Sequence, residues 1–100
     1  MIKVIITKDK DLYQKVEVTG HAMYADYGKD IVCSSVSSIV TTTVNGILSF
    51  DKDSLSYEVS ENGLIISNIK ADNITQTLIK NMISLLKELS ENYPDNVKVK

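Results

Sequence analysis

A chain of 100 residues with 43% hydrophobic and 24% charged residues can close one core without a metal or disulfides. Its net charge of −2 leaves no basic footprint for nucleic acid, and its single cysteine excludes an internal disulfide framework. The opening MIKVIITKDKD turns charged too early for a secretory signal, and no run approaches the ~18 consecutive apolar residues of a membrane span. The expectation is one domain over residues 1–100, cytoplasmic, with no direct nucleic-acid or membrane partner.

Ile2 to Thr7 is a β-branched run that ends at Lys8-Asp9-Lys10-Asp11, and Tyr13 to Val18 alternates, with Val16 and Val18 on one face. Together they predict a hairpin. Residues 19–31 show no sustained period and contain Gly20 and Gly28, so a long functional loop is expected there. From Ile31 to Leu48 the apolar residues Val32, Val36, Ile39, Val40, Val44, Ile47 and Leu48 step by threes and fours. That period predicts a buried helix against the modest propensity of Val, Ile and Thr.

Leu55 to Val59 and Leu64 to Ile69 flank an Asn62-Gly63 pair, the strongest short signal for a second hairpin. Ile74, Leu78, Met82, Leu85, Leu86, Leu89 and Tyr93 predict a second helix, capped by Asp72 or Asn73 and stopped by Pro94. Val97 to Lys100 supplies a last edge strand. The order ββαββαβ is an α+β fold, a two-layer sandwich of a mainly antiparallel sheet with two helices. Its uncovered edges make a homodimer a reasonable expectation.

The chemistry concentrates on one His and one Cys, His21 and Cys33. A lone Cys is often just a small buried hydrophobe, and a lone loop His a surface residue. Structural zinc needs about four ligands, so no metal is expected, nor any other cofactor. Cys33 falls in the first turn of the expected helix, where free N–H groups and the macrodipole favour a thiolate and the oxyanion it would create. His21 lies on the segment leading into that helix and can take the thiol proton, then return it to a leaving amine. Asp30 fits two roles, orienting His21 or capping the helix. Ser37, one turn after Cys33, either faces the site or bonds its own backbone. Tyr24 and Tyr27 either line a substrate groove or pack within the loop, and Gly20 and Gly28 supply turns.

The stretch GHAMYADYGKDIVCSSVS, from Gly20 to Ser37, closely resembles the signature of the Prp family, the ribosomal-processing cysteine proteases. That pattern, G-H-A-x-Y-A-x-x-G-x-D-I-V-C-x-x-V-S, is met without a gap at Gly20, His21, Ala22, Tyr24, Ala25, Gly28, Asp30, Ile31, Val32, Cys33, Val36 and Ser37. The resemblance implies a bacterial homodimer that removes a short N-terminal extension from a large-subunit ribosomal protein precursor, cutting after a hydrophobic, Phe-rich segment. It implies Cys33 as nucleophile and His21 as base and proton donor, with an intervening loop that orders on substrate. The residues alone leave open a non-enzymatic, ribosome-associated dimeric module and a redox-sensing thiol.

Overall fold

The computed structural model describes residues 1–20 and 27–100, with residues 27–30 as backbone. Strands β1 (Ile2–Asp9) and β2 (Leu12–Thr19) form the first hairpin, and helix α1 spans Tyr27–Phe50. Strands β3 (Ser56–Ser60) and β4 (Gly63–Ser67) form the second hairpin, followed by helix α2 (Asn73–Asn92) and strand β5 (Val97–Val99). The five strands lie in the order β3-β4-β2-β1-β5. The pairings β1–β2, β2–β4 and β3–β4 are antiparallel and β1–β5 is parallel. This is the α+β, mainly antiparallel arrangement expected from the element order.

One sheet face is apolar and carries both helices. Alternation along the strands sends Ile2, Val4, Val16, Val18, Ile66 and Val97 to that face, all buried. The opposite face carries Lys3, Lys15, Glu17 and Glu58, in keeping with a solvated antiparallel sheet. On α1 the residues Val32, Val36, Val40 and Val44 repeat every four positions and form a buried stripe that Ile47 continues. The segment Ile31–Phe50 has the length and mean hydropathy (1.5) of a membrane-crossing helix. Here its valines build the core, while Ser34, Ser37, Ser38, Thr41 and Thr42 face outward. Burial of that stripe outweighs the few tenths of a kcal/mol per residue that β-branching costs a helix.

Two expectations change. Helix α1 begins at Tyr27, so residues 27–31, expected within a loop, are helical, and Tyr27, Gly28 and Asp30 belong to the helix backbone; residues 21–26 of that expected loop lie outside the described residues. In α2 the buried face is Thr75, Ile79, Met82, Ile83 and Leu86, which leaves Ile74, Leu78 and Leu85 exposed. The apolar stripe read from the sequence therefore straddles the core face and an outer one. The cap is Asp72, whose carboxylate accepts from the Thr75 N–H (2.8 Å) and hydroxyl (3.1 Å). In the second hairpin the turn residues are Glu61 and Asn62, with Gly63 already paired in β4.

Hydrogen bonds tie one end of the molecule. The Gln76 side chain accepts from Tyr13 N–H (2.8 Å) and donates to the carbonyls of Tyr13 (3.0 Å) and Lys70 (3.1 Å). Lys70 also reaches the Asp51 carboxylate just past α1, at 2.9 Å. The Lys70 ammonium holds the Asp51 carboxyl below its usual range, and the Thr75 N–H does the same for Asp72.

Candidate active site

Cys33 lies at the opposite end, on α1 above the far ends of β2 and β4. Its thiol is free and half-buried, packed on one side against the core. On the other side it opens into a groove of about 280 Å³ with Val36 and Ser37 from its own helix. The floor is apolar, made by Ile2, Val18 and Leu64, and the rim is formed by Val59, Ser60 and Glu61. A thiol facing an apolar groove bounded by a strand is suited to attack a bound acyl group, because the groove excludes water from the reacting carbonyl.

Gly20 and Gly63 also line this groove, on neighbouring strands whose ends pair through Thr19 and Gly63. Gly20 has φ +64, and a Cβ there would run into the Met1 carbonyl oxygen. Gly63 has φ +144, and a Cβ there would strike the Val18 carbonyl. The two glycines let three backbone segments converge beneath Cys33. Gly20, expected as a turn former, thus also permits close approach.

Cys33 sits in the second turn of α1 rather than the first, because the helix starts six residues earlier at Tyr27. Its own N–H is therefore spent on the carbonyl one turn back, and the free amides of the helix start lie upstream of it. The expectation that Cys33 sits among the free first-turn N–H groups, which would favour its thiolate and bind the oxyanion, is withdrawn on this ground. Ser37 is exposed, lines the groove and makes no hydrogen bond among the described residues, whereas Ser35, Thr43 and Ser49 bond back to their own helix. His21 and Tyr24 lie outside the described residues, as do the side chains of Tyr27 and Asp30. Among the described residues no cluster of three His, Cys, Asp or Glu exists to hold a metal. The groove residues Ile2, Val18, Leu64, Val59 and Ser60 were not visible as site residues in the sequence. Only strand pairing brings them to Cys33.

Comparison with known proteins follows the same lines. The profile described as cysteine protease Prp matches residues 1–98. The ribosomal processing cysteine protease Prp of Staphylococcus aureus is 29% identical over 103 residues, covering 99% of this chain and 97% of that protein. The Prp of Bacillus subtilis is 29% identical over 107 residues, covering 99% and 96%. A crystal structure from Streptococcus mutans superposes with a TM-score of 0.90 at 30% identity, covering 100% of this chain and 92% of that one. The S. aureus Prp solved with a substrate peptide also superposes at 0.90, with 25% identity and 100% and 98% coverage. The fold thus coincides with that of a class of cysteine proteases. Within that class, the chain belongs to the Prp family of ribosomal-processing cysteine proteases.

Proposed function

We propose that this protein is an endopeptidase that removes the N-terminal extension of a large-subunit ribosomal protein precursor, cutting after a hydrophobic, Phe-rich segment. The observation that carries this reading is the Cys33 thiol opening into an apolar groove, in a chain matched over residues 1–98 to cysteine protease Prp. The S. aureus relative has been solved with a substrate peptide and with a covalently linked product peptide, which supports peptide chemistry at this thiol.

His21 takes the Cys33 proton, and the thiolate sulfur attacks the scissile carbonyl carbon to form a C–S bond. The tetrahedral intermediate collapses with cleavage of the C–N bond, and the His21 imidazolium gives its proton to the leaving amine. Water then attacks the thioester as His21 accepts its proton, the C–S bond breaks, and the acid product leaves. Ile2, Val18, Val36 and Leu64 provide apolar surface for a side chain of the Phe-rich segment. The place of action is the cytoplasm, where ribosomal precursors are made.

The active form is a homodimer. The support is an outer apolar surface that a monomer leaves in water: Ile31 at 62% exposure and Leu85 at 41%, beside a groove of about 690 Å³ between α1 and α2. Mass spectrometry of the ribosomal precursor after incubation tests the function. A single trimmed product that disappears with Cys33→Ser supports it, and an intact precursor with the unaltered protein refutes it.

A further inference from the structure

Strand β3 is the outer edge of the sheet on the side of the Cys33 groove. Which of its backbone groups face outward follows from the hydrogen-bond phase of the whole sheet. At the other edge, the N–H groups of Ile2 and Ile6 donate to Asn96 and Lys100, and the Val4 carbonyl accepts from Lys100. Even-numbered residues of β1 thus point their backbone groups toward β5. Antiparallel ladders alternate strictly, so Lys3 and Ile5 turn toward Thr19 and Glu17 of β2. Val16 and Val18 then turn toward Ile66 and Leu64, and Ile65 and Gly63 toward Glu58 and Ser60. The alternation leaves the N–H and C=O of Tyr57 and Val59 directed away from the sheet. Neither residue has a backbone partner beyond that edge among the described residues.

The side chains follow the same order. Val59 pairs with Leu64 and projects to the helix-bearing face, where the rest of the sheet is covered, yet it stays 66% exposed. It also lines the groove that holds Cys33. One residue therefore offers free backbone groups outward and an uncovered apolar side chain toward the thiol. A strand laid beside β3 would complete both.

We propose that the substrate peptide binds as a sixth strand on the β3 edge, hydrogen-bonded to the backbone of Val59 and Tyr57, with alternate side chains directed to the Cys33 groove. This rests on the peptide-cleaving reading above and assigns the substrate's conformation and its docking edge. The requirement falls on extended backbone, which is common to any sequence, while the groove reads only every second side chain. An edge of five residues is long enough for a few such bonds and too short to template indiscriminate pairing.

The test uses a fluorescent synthetic peptide spanning the extension junction of the ribosomal precursor and the Cys33→Ser protein, which binds without turnover. Peptides N-methylated at successive residues lose one amide donor each. Binding is expected to fall about tenfold at every second position and little at those between, since each lost bond with its steric penalty amounts to roughly that factor. In the protein, Val59→Pro removes only an outward N–H and spares the β3–β4 ladder, so the fold should persist and binding should drop. Val59→Ala keeps the outward N–H and removes only the side chain's part of the groove, so it should lose less affinity than Val59→Pro. Uniform sensitivity to N-methylation overturns the proposal, and it decides the matter even if Val59→Pro fails to fold. A change in oligomeric state with Val59→Pro, at unchanged peptide affinity, assigns the edge to a second copy of the chain and also overturns it. Failure of the unaltered protein to cleave the unmethylated peptide refutes the protease reading, a result separate from cleavage without alternation.

Discussion

Two residues on the same sheet face, Ile66 and Val59, should respond very differently to truncation. Ile66, the next-to-last residue of β4, is 0% exposed and paired with Val16 on one side and Tyr57 on the other. Ile66→Ala removes buried methyl and methylene groups beneath two helices and leaves a cavity, at a cost of about 2–5 kcal/mol. For a domain of this size each kcal/mol lowers Tm by roughly 4–8 °C, so about 3 kcal/mol predicts a fall of about 12–24 °C. Val59 keeps 66% of its surface in water, so Val59→Ala forfeits only part of one side chain's burial, about 0.5 kcal/mol or less. Calorimetric melting of the two variants beside the parent measures the contrast. Equal losses, or a loss above about 1.5 kcal/mol for Val59→Ala, would refute the assignment of Val59 as an uncovered edge residue held for something other than stability.

Cys33→Ala should abolish cleavage while leaving the melting curve within a few degrees of the parent, because the half-buried thiol contributes little packing; residual turnover near the parent rate would end the nucleophile assignment. His21→Ala should lower kcat by about two to four orders of magnitude, read by precursor cleavage at neutral pH. Gly20→Ala should destabilise by more than about 1 kcal/mol in a denaturant titration, since φ +64 disfavours an L side chain and the Met1 carbonyl blocks its Cβ; a neutral result would discount that approach. For pH dependence, Asp51 and Asp72 both titrate below the usual carboxylate range in the fold. Their contribution is therefore complete above the unfolded value of about 3.9 and is lost as pH falls through the lowered folded values. Lys70, raised by Asp51, contributes below its unfolded value and loses that contribution as pH rises through the folded one. Tm should thus decline on acidification below about pH 4, and Asp51→Asn should shrink the decline; an unchanged acid limb in that variant would remove the pair from the account.

The legible parts of the fold were those with local signals. The alternation of Val16 and Val18, the Asp72 cap and the Pro94 stop each act within a few residues, and β1, β2 and α2 formed near where those signals put them. The start of α1 was missed because Tyr27-Gly28-Lys29-Asp30 carries no apolar period and includes a glycine, so nothing local announces a helix. The face of α2 was misjudged because Thr75 is buried through its bonds to Asp72, while Ile74 is left outside. At the site, Cys33, Ser37 and Gly20 stood out by residue type and motif. Val59, Ser60 and Leu64 did not, since their place depends on register across three strands.

The clasp formed by Gln76, Lys70 and Asp51 has a consequence for how such a protein can diversify. Gln76 binds Tyr13 with both ends of its amide, as another strand would, and so fastens the first hairpin to the start of α2. Tyr13 opens β2 and Gly20 follows its close, so the fastening and the thiol lie at opposite poles of the same strand. Residues at the Cys33 pole are thereby released from holding the hairpin in register. Substitutions at the exposed rim of the groove can accumulate at small cost to folding, while its buried floor and its two glycines absorb few. Deep mutational scanning for solubility alone should find Gln76 intolerant, Tyr13 sensitive chiefly to proline because its backbone makes both bonds, and Val59 and Ser60 permissive, whereas selection for cleavage should constrain both poles.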